Sequence, residues 1–236
     1  MPTPIRPADA LQVTAPIVSA RRLDIQGLRA VAVLMVVAFH AGLPTPGGFV
    51  GVDVFFVISG FVMCHVAADA FGRPGAAVEF LRRRLVRVAP LYWVFTGLAV
   101  ATALGLPGRV EHDEVGLGHV AASLAFLPWR APSGLVVPPL SVGWTLNFEM
   151  LFYAVFAVGL LFRRTVGLAV IVAILAVLAL PRLVAPEAIG VQVGFWGFRI
   201  TFEFLYGIAL ARLFTAGLRL GGLARLGLAV AAVAAL

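Results

Sequence analysis

Long apolar runs broken by arginine clusters set the pattern of this chain. A helix needs about 20 residues to cross a bilayer. On that measure the pattern predicts spans near 28–43, 48–67, 90–107, 141–162, 165–184, 198–215 and 221–236. Two other segments do not span. "AAVEFLRRRLVRVAPLYW", residues 76–93, opens as a basic amphipathic helix suited to anionic headgroups and runs into the third span at Pro90. Residues 118–139 form a long loop with a short apolar helix, "HVAASLAFLPW", and a Pro-rich stretch. A loop this long commonly caps a cavity or binds something.

Composition agrees with the pattern. The chain is 61% hydrophobic and only 12% charged, where soluble domains run near a quarter charged. It has too little polar surface to cover a water-soluble globule, so the expected fold class is all-α, a polytopic transmembrane helix bundle of about seven spans. The net charge of +7 does not point to nucleic acid, because the basic residues, all arginine, sit in short runs beside apolar segments. Placing the N-terminus inside puts thirteen arginines in the cytoplasm, Arg82, Arg83, Arg84 and Arg87 among them, against Arg109, Arg130 and Arg182 outside. Residues 1–22, broken by Pro2, Pro4, Pro7 and Pro16, predict a disordered cytoplasmic tail; Arg21 and Arg22 then begin an uncleaved signal anchor. Residues 23–236 form one membrane-embedded domain. Its last run, "GLAVAAVAAL", has no polar flank, which predicts a C-terminally incomplete bundle. The lone Cys64 excludes an intrachain disulfide and reads as packing.

Against this apolar background the few ionisable residues within spans are the candidates for chemistry, because burying them in a bilayer is costly. Arg29 and His40 lie eleven positions apart in "GLRAVAVLMVVAFHAG". That spacing is about three helical turns, which puts both on one face roughly 16 Å apart along the axis. His40, Asp53, Glu149 and Glu203 all belong to the outer half of the bilayer, and Arg29 to the inner half. Arg199, one turn before Glu203, predicts a structural ion pair with it. Gly47 and Gly48 suit a tight outer turn, while Ser59 and Gly60 suit close helix approach in lipid. His112 and His119 have no histidine or thiol partners at metal spacing, so no metal site is expected. No Walker loop, dinucleotide fingerprint, HExxH or GxSxG is present. These residues alone leave three classes open: a membrane enzyme, a proton-coupled transporter or flippase using the same groups as a relay, and a structural subunit of a polysaccharide export complex.

Five stretches, in order along the chain, carry a family resemblance. "RLDIQGLRAVAVLMVVAFHAG" and "GGFVGVDVFFVISGFVM" resemble the opening of the acyltransferase 3 family of bacterial membrane O-acyltransferases. "FLRRRLVRVAPLYW" is similar to the family's cytoplasmic Arg-x-x-Arg segment, here Arg84 and Arg87. "LSVGWTLNFEMLFY" resembles its Trp-[Ser/Thr]-Leu-x-x-Glu stretch, here Trp144 and Glu149, and "FEFLYGIALA" resembles a later helix. The family's Arg-x10-His pair falls on Arg29 and His40.

The resemblance implies transfer of an acyl group, commonly acetyl, from acyl-CoA to a hydroxyl of a glycan or glycosylated small molecule at the cytoplasmic (inner) membrane. The bilayer is then the other partner, with no nucleic acid and no permanently bound cofactor. Family members carry about ten spans of the usual length, which again predicts a truncated bundle here. The implied roles make His40 the base that takes the acceptor's proton, a task suited to histidine's ordinary pKa of about 6.5. Asp53 or Glu149 would fix its tautomer. Arg84 and Arg87 would hold coenzyme A phosphates, Arg29 would guide the donor, and Ser59 and Trp144 would complete the binding set.

Overall fold

The computed structural model describes residues 22–43, 49–106, 115–131, 134–184, 190–218 and 221–223. Within these every regular element is helical: α1 Leu23–His40, α2 Val50–Val66, α3 Ala76–Gly105, α4 Leu117–Leu124, a 3-10 turn Ser141–Gly143 leading into α5 Trp144–Leu160, α6 Arg164–Val184, α7 Val191–Trp196 and α8 Ile200–Thr215. Four of these segments are long and apolar enough to cross a membrane: Leu23–His40, Ala76–Gly105, Ser141–Leu160 and Arg164–Pro181. The apolar α2 is shorter. The chain is a polytopic helical bundle. Residues 1–21 of the expected tail, Arg109, His112, the Gly47–Gly48 turn and nearly all of the expected last span lie outside the described residues.

Two segments expected beside the spans are found. The amphipathic segment and the third span are one helix, since α3 runs unbroken through Pro90 for 30 residues. At 1.5 Å per residue it measures about 45 Å, longer than a hydrocarbon core of about 30 Å, so its basic first turns reach past the apolar slab. The outer loop holds α4 as a short helix, pinned by the Tyr92 hydroxyl at 2.6 Å from Ser123 Oγ and by the Trp93 indole donating to the Leu124 carbonyl at 2.9 Å.

The bundle has two distinguishable ends. At one, the Arg22 guanidinium lies 4.7 Å from the Phe214 ring centroid, and the Gly72 amide donates to the Leu160 carbonyl. The starts of α1 and α3 and the ends of α2, α5 and α8 therefore gather here, with most of the described arginines. At the other end, Phe49 stacks on Trp144 with centroids 5.7 Å apart, beside the C-terminal end of α1.

The centre is aromatic. Phe152 stacks on Phe204 at 4.2 Å and Phe148 on Phe195 at 4.6 Å, while Phe56 meets Phe152 edge-on. Stacked and edge-on rings both fill space densely. By contrast α1 buries only Ala32, with Val31 and Leu34 exposed as lipid-facing residues would be.

The tightest seam joins α2 to α8. A Cβ on Gly207 would fall 2.1 Å from the Val57 carbonyl oxygen, and one on Gly60 would fall 2.3 Å from that of Phe204. Backbone atoms cannot swing aside, so only glycine permits this approach. Gly207→Ala is expected to destabilise the bundle by about 1–3 kcal/mol or more. Gly97→Ala on α3, where the new methyl meets open space, is the matched control. Thermal unfolding in detergent reads both, and an unchanged midpoint for Gly207→Ala would contradict the seam.

Candidate functional site

A cavity of about 970 Å³ lies between α1, α2, α3 and the start of α5. Helix α1 supplies Arg29 and His40 to its wall, on one face as their spacing requires and about 16 Å apart along the helix axis. Ser59 on α2, Arg84 and Arg87 on α3, and Trp144, Glu149 and Tyr153 on α5 also line it. Between them the walls are apolar, with Val36, Ile58, Val62 and Met63 among the contributors.

His40 is held by its own helix. Its Nδ1 sits 2.8 Å from the Val36 carbonyl oxygen one turn back. A carbonyl can only accept, so Nδ1 carries the proton in that bond, and in the neutral ring Nε2 is the nitrogen with a lone pair. Tautomer and ring orientation are thus fixed by a backbone carbonyl, where the sequence suggested Asp53 or Glu149.

The four arginines of α3 divide into two pairs. Arg82 and Arg83 both bind the Glu79 carboxylate, at 2.9 Å and 2.5 Å. Glu79 precedes them by three and four residues, so all three share a stripe turned away from the cavity. Arg84 and Arg87 line the cavity and, like Arg29, make no ion pair among the described residues. Three guanidiniums therefore face the cavity against the single carboxylate of Glu149. Apolar walls focus that positive field, and an anionic ligand is what it attracts.

Glu149 has its own arrangement. The Tyr153 hydroxyl, one turn later on α5, donates to Glu149 Oε1. The Arg84 guanidinium stands 5.4 Å from the Tyr153 ring centroid and 5.3 Å from that of Phe80. A cation over an aromatic face is held electrostatically while its N–H groups stay free for a ligand. Sequence reasoning missed Tyr153, although its spacing of four from Glu149 within one stretch was the available signal.

Asp53 lies elsewhere. It is not on the cavity wall, and its carboxyl faces Glu203 of α8, with the Arg199 charge acting on both. Glu203 is buried at 8% exposure, and its Oε2 has no hydrogen-bond partner. The expected Arg199–Glu203 ion pair is absent among the described residues. The cause is the glycine seam: Glu203 shares the helical stripe of Gly207 and Ala211, so docking that stripe on α2 carries its carboxyl to Asp53.

Comparison with known proteins adds an independent line. The family model described as an acyltransferase domain matches residues 22–236. The exopolysaccharide production protein ExoZ of Rhizobium meliloti (strain 1021) is 49% identical over 138 residues, which are 56% of this chain and 42% of that protein. Protein 2 in the picA locus of Rhizobium radiobacter is 32% identical over 164 residues, 58% of this chain and 81% of that protein. The peptidoglycan O-acetyltransferase OatA of Listeria monocytogenes is 35% identical over 80 residues, 33% of this chain and 13% of that protein. The matched part is thus less than half of ExoZ and a small part of OatA. No solved structure matches the chain.

Proposed function

This chain belongs to the acyltransferase domain family, and we propose that it is a membrane O-acyltransferase taking its acyl group, acetyl above all, from cytoplasmic acyl-CoA. The acceptor is a hydroxyl of an extracytoplasmic glycan or glycosylated small molecule. One observation carries the reading: a single cavity is lined by three guanidiniums that make no ion pair among the described residues and by a histidine whose Nε2 can take a proton.

The arginine-rich end of the bundle is assigned to the cytoplasm, because positive charge is retained there. Coenzyme A is polyanionic, so its phosphates meet Arg84 and Arg87, whose planar forks bind phosphate oxygens in pairs. The pantetheine arm then follows the apolar wall past Arg29 and Ser59 toward His40. At that end the acceptor's hydroxyl oxygen attacks the thioester carbonyl carbon while His40 Nε2 accepts the hydroxyl proton. Collapse of the tetrahedral intermediate breaks the carbon–sulfur bond, and the leaving thiolate recovers the proton. Glu149, oriented by Tyr153, places negative charge within the cavity where it favours the transient imidazolium.

Mass spectrometry of surface glycans from cells with and without the gene tests the reading. The expected result is loss of one acyl mass from a defined glycan, restored by the gene. Identical glycan masses in both strains would contradict it.

A further inference from the structure

A second cavity, of about 650 Å³, adjoins the first. Phe49 and Trp144 belong to both, and their rings lie parallel to within 4°. They form a stacked partition with a cavity on either side. Phe148 on α5, Phe195 and Phe198 at and just after α7, the Val136–Val137 stretch and Arg130 also line the second cavity, with Gly190, Val191 and Gly194 beside them. It lies at the His40 end of the bundle, the end away from Arg84 and Arg87.

We propose that this second cavity is the site that binds the acceptor glycan, an inference that rests on the acyltransferase reading above. Its chemistry suits a sugar. Pyranose rings present C–H faces that stack on aromatic rings, and several rings here are gathered round one space. Sugar hydroxyls, or a uronate carboxylate, need directed donors, and a guanidinium offers five N–H groups. Arg130 donates through one nitrogen to the Gly134 carbonyl at 2.9 Å, which orients the fork and leaves the remaining N–H groups for a ligand. Among the described residues no carboxylate lines this wall, so a cationic ligand has no counter-charge there. Among the described residues, one cation in place of three selects against a polyphosphate and separates this cavity from its neighbour. A lipid chain would leave Arg130 facing hydrocarbon. The volume falls within the 300–1,000 Å³ of ordinary small-ligand sites, room for a short stretch of glycan.

The site is also preformed. Phe148 is 1% exposed and stacks on Phe195 at 4.6 Å, so the inner wall is fixed by the core. On the loop side, buried His119 donates from Nε2 to the Val137 carbonyl at 2.7 Å, tying that stretch to α4. Rigid walls lower the ordering cost of binding. Trp144 then acts at the boundary: a sugar against its outer face has its hydroxyls next to the His40 end of the donor cavity.

The test uses the full protein carrying Arg130→Ala with Phe195→Ala, neither residue being on the donor cavity's wall. Two quantities are read: acylation of the extracytoplasmic glycan in native cells by mass spectrometry, and binding of radiolabelled acetyl-CoA to the purified protein in lipid nanodiscs. The expected result is glycan acylation reduced about tenfold or more, with acetyl-CoA affinity within about twofold of wild type. Phe195→Tyr with Arg130→Lys, which keeps a ring and a cation, should restore a substantial part. Normal acylation by well-inserted double-alanine protein would overturn the proposal. So would acetyl-CoA binding lost in parallel with acylation, because the cavity would then be a structural element alone. If wild-type protein neither binds acetyl-CoA nor acylates any glycan, the acyltransferase reading itself fails and takes this inference with it.

Discussion

Replacing His40 with alanine is expected to slow acyl transfer by roughly 10²–10⁴-fold while acyl-CoA still binds at wild-type affinity, the range that proton transfer by a positioned base usually contributes. The two effects separate because of where the ring stands. Among the described residues its one hydrogen bond is to the Val36 carbonyl on its own helix, so removing it breaks no described polar contact between helices. The ring is exposed at the end of α1 and supports none of the aromatic core. Insertion and stability should therefore survive the change. A packing or interfacial histidine would behave oppositely, with protein lost and the rate per molecule kept. Turnover of labelled acetyl-CoA in membranes, normalised to protein amount, distinguishes the two.

The second large effect concerns the donor. Arg84→Ala with Arg87→Ala is expected to weaken acyl-CoA binding roughly a hundredfold or more, since each charge-assisted hydrogen bond to an ionised group contributes about 1.5–3 kcal/mol. Arg82→Ala with Arg83→Ala removes the same formal charge one residue away. Those two guanidiniums are occupied by Glu79 and are exposed, and exposed pairs contribute little. The control is expected to leave acyl-CoA affinity near wild type. Were all four arginines topology signals only, the two double variants would behave alike, altering orientation and sparing affinity. Titration of each purified variant with acetyl-CoA reads the difference.

How far these features could be read in advance depends on the geometry each one needs. Depth along a helix follows from counting residues at a fixed rise, and so the alignment of Arg29 with His40 was legible from spacing alone. The direction a side chain faces around the axis is harder, because each residue turns about 100° and the answer depends on which neighbour the helix docks against. Asp53 shows the difference. Residue counting puts it at the depth expected for His40, yet α2 turns it toward α8, a contact set by Gly60 meeting Gly207 more than 140 positions away in the chain. Nothing local announces that seam, and the same docking turned Glu203 from Arg199 to Asp53.

Other features were readable and were read incompletely. Glu79 stands three and four residues before Arg82 and Arg83, the spacing of helical ion pairs, which was enough to set those two apart from Arg84 and Arg87. The tautomer of His40 had no such signal. Any helix offers a carbonyl four residues back, and only the rotamer decides whether the ring bonds to it. The partition between the two cavities was equally hidden, since Phe49 and Trp144 come from different helices and meet only in the folded bundle.

The central claim is that one cavity holds the donor at Arg84 and Arg87 and removes the acceptor's proton at His40. Its most direct test measures acetyl-CoA affinity and single-turnover acyl transfer at saturating donor, side by side, for His40→Ala and for Arg84→Ala with Arg87→Ala. The account predicts opposite failures: the histidine variant keeps affinity and loses rate, while the arginine variant loses affinity and recovers much of its rate once donor saturates. Loss of both quantities together in both variants, or normal transfer by stable His40→Ala protein, would contradict it.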